Sequence, residues 1–232
     1  MQKRLVRKLD LERVLAQAKP HPSPNPYLEQ YVTPTDVAAT MLSIATYVNG
    51  DIEGKRVLDL GCGTGRLALG AAFLGAEEVV GVDLDKGSVK MASEASADTG
   101  SKDKTEWIAA DIEAICGRFD TVLQNPPFGV QRRNADRRFL AKALEVGNMV
   151  YSLHKRAHDD EAFMARVKGA KGHPMAGFAS PFLERFIEDH GGRIKAVYAM
   201  IMTVPRTFSF HREKRHEFVV DLYVIEVKAR RG

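Results

Sequence analysis

The sequence predicts an α/β protein built on a doubly wound, mostly parallel sheet that finishes in an antiparallel hairpin. Short runs rich in aliphatic and β-branched residues alternate with amphipathic segments between residues 56 and 153, which is typical of a parallel sheet with helices on both faces. Two long alternating runs then close the chain, Arg193–Thr203 and Glu217–Lys228. The segment between them is too short for a helical crossover, so we expect an antiparallel hairpin.

Each element is predicted from its periodicity and from the residues that end it. Seven strands are expected: Arg56–Leu60, Glu78–Val82, Thr105–Ala109, Phe119–Gln124, Met149–Leu153 and the two runs of the hairpin. The expected helices are a basic N-terminal helix with Leu5, Leu9, Leu11 and Leu15, one from its cap Thr35 to about Asn49, Arg66–Leu74, one from Asp85 to about Ala97, Phe139–Val146 capped by Asp136, and Pro181–Asp189. Prolines at positions 20, 22, 24 and 26 end the first helix. We expect a single domain, with a basic helix and proline-rich leader over residues 1–26 and a core over residues 27–232.

The composition is that of an ordinary globular protein with a small positive charge. Its 232 residues include 34 Lys and Arg and 30 Asp and Glu, which gives a net charge of +4. This surplus permits an anionic partner but does not require one. Two cysteines are too few for a disulfide framework, and no apolar run approaches the roughly 18 residues of a membrane span. We therefore expect a soluble, cytoplasmic protein.

A glycine-rich turn follows the first predicted strand. Gly61, Gly63 and Gly65 stand between a strand and a helix, where glycine allows a tight turn and the close approach of a ligand. A dinucleotide-binding fingerprint would place glycine at position 66, but Arg66 stands there. This bulky residue disfavours a cofactor with a pyrophosphate. S-adenosylmethionine has no phosphate and needs only the open turn, so the sequence favours it.

Acidic residues follow the next two predicted strands. Asp83 ends the second strand roughly 20 residues beyond Gly61, where a carboxylate can accept hydrogen bonds from ribose hydroxyls. Asp111 and Ile112 follow the third strand and can meet the amine and the face of an adenine. A turn or a helix cap could explain each signal alone. Because open α/β sheets bind ligands at the carboxyl ends of their strands, the signals together predict a cofactor site.

The fourth predicted strand ends in the tetrapeptide Asn125, Pro126, Pro127 and Phe128. Such dipeptides are common in turns, but this position lies beside the predicted cofactor, where an acceptor would bind. An amine conjugated with an aromatic ring is a weak nucleophile, and the Asn125 side-chain oxygen and the Pro126 carbonyl can accept both of its N–H bonds. Two prolines would hold these acceptors in place, and Phe128 offers a face on which a base stacks.

Several motifs together resemble one protein family. These motifs are Leu28–Tyr31, Thr33–Thr35, Asp59–Gly65, Asn125–Gly129, Tyr151–Lys155 and the pair Phe210 and His211. They are similar to the class I amino-methyltransferases, and most closely to methyltransferase-like protein five and its archaeal relatives, over nearly the whole chain. The resemblance implies a Rossmann-like methyltransferase fold. It also implies methyl transfer from S-adenosylmethionine to N6 of an adenine in small-subunit ribosomal RNA.

The resemblance also implies roles for single residues. Gln30 and Thr33 would close over the methionine end of the cofactor. The cofactor-binding residues would be Gln30, Thr33, Asp59, Gly61, Gly63, Thr64, Gly65, Arg66, Asp83, Asp111 and Ile112, and the catalytic residues Asn125, Pro126, Pro127 and Phe128. The family works with a small zinc-ribbon activator protein that pairs with an edge strand. Here the edge would be Thr105–Ala109, near Trp107, and inward packing of this tryptophan is the alternative.

Two basic clusters are expected on the substrate side. Arg132, Arg133, Arg137 and Arg138 follow the tetrapeptide, and Arg206, His211, Arg212, Lys214 and Arg215 surround the hairpin loop. Clustered arginines suit phosphate contacts, although a charge run is usually a solvated surface. We expect both clusters to contact RNA. The histidines lack the further ligands that a metal site requires.

Other functions stay open. A protein glutamine methyltransferase also acts on a conjugated nitrogen, but such enzymes usually carry Tyr in place of Phe128 and a longer N-terminal domain. DNA adenine methylation would require a target-recognition domain, for which the chain has no room. A non-catalytic module that binds S-adenosylmethionine and RNA is the third alternative, and the intact tetrapeptide disfavours it.

Overall fold

The computed structural model describes residues 5–25, 30–128, 134–156, 161–170, 172–205 and 215–228, with the backbone alone at positions 205, 215 and 216. The α-helices are α1 (Lys8–Leu15), α2 (Thr35–Ser43), α3 (Arg66–Phe73), α4 (Lys86–Asp98), α5 (Ala135–Val146), α6 (Glu161–Gly169) and α7 (Pro181–Asp189). The strands are β1 (Arg56–Leu60), β2 (Glu78–Asp83), β3 (Thr105–Ala109), β4 (Phe119–Gln124), β5 (Gly147–Lys155), β6 (Met175–Ala176), β7 (Gly192–Pro205) and β8 (Arg215–Val227). A π-helical turn, Ile44–Val48, continues α2.

All of these strands join one sheet in the order β3-β2-β1-β4-β5-β8-β7-β6. Strands β1 to β5 run parallel, and β8 lies antiparallel between β5 and β7. The predicted α/β fold and its closing hairpin are confirmed. The expected count of seven strands is wrong, because β6 adds a strand of 2 residues beside β7. A strand of that length leaves no alternating pattern in the sequence.

Helices cover both faces of the sheet. On one face α1, α2 and α3 pack over a core that includes Val57 and Leu123. On the other face α5 and α7 pack over a core that includes Leu58 and Val122. Adjacent residues of β1 and β4 therefore enter different cores, as expected for a parallel sheet buried on both sides. None of the helices in the described part of the chain is long and apolar enough to cross a membrane.

The N-terminal helix packs on the domain but is shorter than predicted. It begins at Lys8, so Leu5 lies outside it and is exposed. Leu15 packs with Leu42 against Gly70 of α3, where any side chain would overlap both leucines. The absence of a side chain at position 70 therefore brings α1 and α2 close to α3.

Neither of the two predicted helix caps, Thr35 and Asp136, is confirmed, whereas Asp85, which was predicted to begin α4, caps it. The Asp85 carboxylate accepts hydrogen bonds from the backbone N–H groups in the first turn of α4. Thr35 is instead the first residue of α2, and Asp136 lies in the first turn of α5. α5 begins earlier than predicted, directly after Asn134, whose left-handed backbone (φ of 65°) is uncommon outside glycine.

Helix α6 lies in a stretch for which no element was predicted. It buries Val167 against Ala199 and Val219. Val167 is the one fully buried residue of this helix. The sequence of α6 therefore lacks the broad apolar stripe that predicts a helix.

The edge strand β3 turns its tryptophan inward. Trp107 Nε1 donates a hydrogen bond to Ser96 Oγ at 3.3 Å. The ring covers Gly65 and Gly81, where an added Cβ atom would come within 2.6 Å of it. Trp107 therefore packs inward, which was the alternative to an exposed aromatic residue at the sheet edge. The next residue, Ile108, is 37% exposed on the same edge.

Candidate active site

The candidate site lies where the order of the parallel strands reverses. Strand β1 pairs with β2 on one side and with β4 on the other, and open α/β sheets bind ligands at such a switch point. A cavity of about 760 Å³ opens there. Of the predicted cofactor residues, it is lined by Gln30, Thr33, Asp59, Gly61, Gly63, Thr64, Arg66, Asp83, Asp111 and Ile112.

The turn between β1 and α3 uses left-handed backbone at three positions. Gly61, Gly63 and Gly65 have φ values of 75°, 52° and 87°, which glycine adopts without the steric cost of a side chain. The N–H of Gly61 donates to the carbonyl of Val82 at 2.8 Å and ties the turn to β2. Gly65 does not line the cavity, because the ring of Trp107 covers it.

Two carboxylates are fixed beside this turn by backbone donors. Asp59 accepts a hydrogen bond from the N–H of Ala68 at 2.9 Å, and burial raises the pKa of Asp59 to about 7. Asp83 accepts hydrogen bonds from the N–H of Gly63 at 2.8 Å and of Asp85 at 2.9 Å. Burial also raises the pKa of Asp83. Both side chains border the cavity in a set orientation.

The proline-rich leader forms part of the cavity wall, which the sequence did not predict. Pro20, His21 and Pro24 line the cavity. Asp85 holds this wall in place, since it accepts a hydrogen bond from Gln30 Nε2 at 3.1 Å and lies 3.6 Å from His21 Nε2. The proline cluster indicated the end of a helix, but it carried no information about the direction that the leader takes.

Arg66 fastens the leader to the glycine turn. Its guanidinium donates hydrogen bonds to the carbonyls of Leu15 at 2.9 Å, Ala18 at 2.7 Å and Thr33 at 2.6 Å. Burial lowers the pKa of Arg66 to about 10, so the guanidinium stays charged at neutral pH. The residue that departs from the dinucleotide fingerprint therefore joins α1 and the segment before α2 to α3.

The segment after β3 supplies a carboxylate and an apolar side chain. Asp111 accepts a hydrogen bond from the N–H of Glu113 at 3.0 Å and pairs with Arg138 at 3.3 Å. Ile112 is buried beside it and lines the cavity. Arg138, which was predicted to contact RNA, also lines the cavity and forms ion pairs with Asp111 and Glu113.

Asn125 directly follows β4, and its side-chain oxygen accepts no hydrogen bond from the described residues. Its Nδ2 donates a hydrogen bond to Thr33 Oγ1 at 3.0 Å, which fixes the orientation of the amide. Its Oδ1 is buried and has no hydrogen-bond partner among the described residues. Leaving such an acceptor unsatisfied costs about 1–3 kcal/mol, so Oδ1 is a candidate to meet a donor from a ligand. Asn125 and Pro127 line the cavity, whereas Pro126 and Phe128 do not.

Phe128 packs among other aromatic side chains. Its ring centroid lies 5.7 Å from that of Tyr31 and 5.6 Å from that of Phe218, which meets it edge to face. These contacts anchor the end of the tetrapeptide to the core. Stacking of a base on Phe128 stays a prediction.

A buried polar network beneath the tetrapeptide was missed by sequence reasoning. Gln124 Nε2 donates a hydrogen bond to Ser152 Oγ at 2.8 Å, and this oxygen lies 2.8 Å from His154 Nε2. Burial lowers the pKa of His154 to about 4. The network therefore holds a neutral imidazole and fixes the residue that precedes Asn125. The available signal was the pair of polar residues at alternate positions of β5.

The predicted RNA-contacting residues are only partly described. Arg132, Arg133, Arg206, His211, Arg212 and Lys214 lie outside the described residues, and only the backbone of Arg215 is described, in β8. Arg137 lies on α5 with its guanidinium carbon 4.3 Å from the ring centroid of Phe182. Contact of these residues with RNA stays a prediction.

The fold and the site together define a class of enzyme. An open glycine turn, carboxylates on β1 and β2, and an Asn-Pro-Pro-Phe sequence after β4 meet at one switch point of the sheet. This is the arrangement of a class I methyltransferase that uses S-adenosylmethionine.

Comparisons with known proteins identify the family. The model of the methyltransferase small domain matches residues 34–150. An uncharacterized protein of Methanocaldococcus jannaschii is 34% identical, with 96% of this chain and 95% of that protein covered. The rRNA N(6)-adenosine-methyltransferase Mettl5 of Drosophila melanogaster is 31% identical, with 94% and 95% covered. The crystal structure of a proposed RNA methyltransferase from Pyrococcus horikoshii is 37% identical, with a TM-score of 0.79 and 97% and 99% covered. The chain therefore belongs to the methyltransferase small domain family and, within it, to the family of methyltransferase-like protein five.

Proposed function

We infer that this protein transfers a methyl group to N6 of an adenine in RNA, and that small-subunit ribosomal RNA is its substrate class. The observation that carries the inference is the buried Oδ1 of Asn125, which lacks a partner among the described residues and belongs to a side chain that lines the cavity. The exocyclic amine of adenine carries two N–H donors, so this oxygen can hold it.

Asn125 would make a weak nucleophile reactive. The lone pair of adenine N6 is conjugated into the ring. Pro126 does not line the cavity, so Asn125 Oδ1 is the better supported acceptor. When it accepts an N–H bond, electron density returns to the nitrogen, which can then become tetrahedral. S-adenosylmethionine, when bound, supplies the electrophilic methyl group. The methylated amine is cationic and loses a proton readily to water, so no general base is required.

The residues around the cavity fit this cofactor. Asp83 uses lone pairs on its two oxygens to hold Gly63 and Asp85, and the remaining lone pairs can accept hydrogen bonds from ribose hydroxyls. A Cβ atom at Gly63 would meet nothing within 4 Å, so the backbone there is open to a ligand. Ile112 offers an apolar face to the adenine of the cofactor, and Asp111 an acceptor for its amine.

The relatives support RNA over protein as the substrate. The Drosophila relative and a zebrafish protein, 28% identical over 91% of this chain, are both named rRNA N(6)-adenosine-methyltransferases. A proposed glutamine methyltransferase of Methanocaldococcus jannaschii is 36% identical but matches only 34% of this chain. With ribosomal RNA as substrate, the single domain formed by the leader and the core would act in the cytoplasm.

The substrate class is tested by methyl transfer from labelled S-adenosylmethionine to purified small-subunit ribosomal RNA and, separately, to ribosomal protein. We expect the label in N6-methyladenosine after digestion of the RNA to nucleosides. Label in protein glutamine would support the rival function. Absence of label from both substrates, with normal cofactor binding, would contradict methyl transfer.

A small zinc-ribbon activator is proposed as a partner at the edge strand β3. This strand ends the sheet and exposes Ile108. Leu84 is also exposed, and it directly follows Asp83, which pairs with Ala109 of β3. An open edge with apolar side chains suits strand addition by a second protein. Ala110 donates its N–H to the carbonyl of Asp83 on β2, so the N–H of Ala109 points to the free edge. We expect Ala109→Pro to abolish co-elution of the activator on size-exclusion chromatography, because proline removes this edge donor. Co-elution of the variant at the wild-type level would place the activator elsewhere.

A further inference from the structure

Two aromatic side chains stand exposed near the candidate active site. Phe178, between β6 and α7, is 76% exposed, and Phe182, in the first turn of α7, is 48% exposed. Single exposed apolar residues are common on protein surfaces. Their position and their neighbours therefore decide whether they indicate a binding surface.

The start of α7 lies at the same end of the sheet as the tetrapeptide Asn125–Phe128. Ser180, the cap residue of α7, donates its N–H to Tyr223 Oη at 2.9 Å. Tyr223 pairs with Ser152 of β5, and Ser152 pairs with Gln124 of β4. Gln124 directly precedes Asn125. The exposed aromatic residues and the proposed acceptor of the adenine amine therefore lie at the same edge of the sheet.

A guanidinium group covers one of the two rings. The guanidinium carbon of Arg137 lies 4.3 Å from the ring centroid of Phe182. Arg137 lies in the first turn of α5, one residue before Arg138, which lines the cavity. Aromatic rings and guanidinium planes are the groups on which unpaired bases stack.

We propose that Phe178, Phe182 and Arg137 form a stacking surface for the unpaired RNA nucleotides that flank the target adenine. The proposal rests on the proposed function, since it concerns the same substrate. An adenine whose amine enters the cavity must leave its stack. Its neighbours then lose a stacking partner, and the stacking surface replaces that contact.

The charges around the two exposed rings are mixed. Asp136 and Glu184 lie beside Arg138 and Arg185 in the first turns of α5 and α7. Stacking of bases on aromatic rings requires no net positive charge. The surface therefore suits a single strand that turns its bases toward α7.

The test uses the full chain with S-adenosylhomocysteine and a short single-stranded RNA that carries 2-aminopurine beside one adenine. The fluorescence of 2-aminopurine falls when it stacks. We expect Phe178→Ala, Phe182→Ala and Arg137→Ala each to weaken RNA binding about 10-fold and to raise the bound fluorescence. The KM for RNA should rise while the KM for S-adenosylmethionine stays constant.

Matched controls separate stacking from folding. Phe73→Ala removes a side chain that is 39% exposed at the end of α3, about 12 Å along that helix from the glycine turn, and should leave RNA binding and fluorescence at the wild-type level. Phe182→Tyr should keep wild-type binding, whereas Phe182→Leu should lose it at an unchanged melting temperature.

The possible outcomes distinguish this inference from the proposed function. Wild-type RNA affinity and fluorescence in all three alanine variants, with RNA methylated normally, would overturn the stacking surface alone. A wild-type protein that methylates glutamine in protein and no RNA would overturn the proposed function, and the stacking surface with it.

Discussion

At the scale of single residues, the site depends on hydrogen bonds between side chains that lie far apart in the sequence. Thr33 accepts a hydrogen bond from Asn125 Nδ2 through its hydroxyl and one from Arg66 through its carbonyl. This residue therefore connects the segment before α2 to Arg66 and to the tetrapeptide. The sequence predicted a cofactor role for Thr33, but its link to Asn125 spans 92 positions and leaves no local pattern.

Replacing Thr33 with valine removes the acceptor that orients the Asn125 amide. We expect kcat for RNA methylation to fall about 5-fold, the effect of losing one hydrogen bond of about 1 kcal/mol. Steady-state kinetics at saturating S-adenosylmethionine measures this effect. Thr33→Ser keeps the hydroxyl and should retain most of the activity. Equal kcat values for the valine variant and the wild type would show that the bond does not orient the acceptor.

The pKa of about 7 at Asp59 predicts a pH dependence of cofactor binding. Asp59 lines the cavity, and the bound cofactor carries positive charge, which favours the ionised carboxylate. Below the pKa, binding must release the proton from Asp59, so affinity should increase from about pH 6 to about pH 7 and then level off. Calorimetric titration in buffers of different ionisation enthalpy measures the proton release. Asp59→Asn should abolish it, and proton uptake by the wild-type protein would contradict the account.

The pKa of about 4 at His154 predicts a loss of stability in acid. The folded pKa lies below the unfolded value of about 6.5, so the unfolded chain binds the proton more tightly. The contribution of His154 to stability should fall as the pH decreases from about 6.5 to about 4, by on the order of 3 kcal/mol. Asp59 acts in the opposite sense in this window, because its folded pKa is raised. The test is therefore the difference between the wild type and His154→Gln in urea unfolding: the wild type should lose stability relative to the variant as the pH decreases through this window. Equal slopes would contradict a buried neutral imidazole.

At the scale of elements, the Arg66 side chain joins α1 and the segments on both sides of the prolines to the end of the glycine turn. Arg66 donates to carbonyls on both sides of the proline-rich segment. The leader forms a wall of the cavity, so its position should control cofactor affinity.

We expect Arg66→Met to weaken binding of S-adenosylmethionine and to speed tryptic cleavage at Lys19. Methionine keeps the apolar stem but cannot donate the three hydrogen bonds. Arg193→Met is the control, since it removes an exposed ion pair with Glu226 on β7 and β8. Wild-type cofactor affinity and wild-type cleavage in Arg66→Met would show that the leader is held by other contacts.

The elements predicted well are those that turn residues or caps delimit. Strands β3 and β4 and helix α7 have their predicted limits. Helix α6 was missed because only Val167 is fully buried, and β6 because two residues show no period. The start of α5 was predicted too late in the sequence. The helix begins after Asn134, and the left-handed backbone of this residue depends on contacts with the surrounding chain rather than on local propensity.

At the scale of the whole molecule, the parallel sheet with its closing hairpin and the position of the cavity could be predicted from the sequence. The glycine turn, the two later acidic positions and the tetrapeptide each followed a predicted strand, and parallel strands deliver their ends to one edge. The network of Gln124, Ser152 and His154 and the wall formed by the leader could not be predicted. These contacts depend on side chains brought together from distant parts of the chain.

The most direct test of the account is the yield of N6-methyladenosine in small-subunit ribosomal RNA treated with the wild type and with Asn125→Ala, together with the Kd for S-adenosylmethionine. We expect the wild type to form N6-methyladenosine. The variant should form less than about 1% of that amount, since a lost preorganised acceptor typically costs a factor of 100 or more, while its Kd stays within about 3-fold of the wild-type value. Formation of N6-methyladenosine by the variant at the wild-type rate would contradict the role of Asn125 as the acceptor that activates the adenine amine.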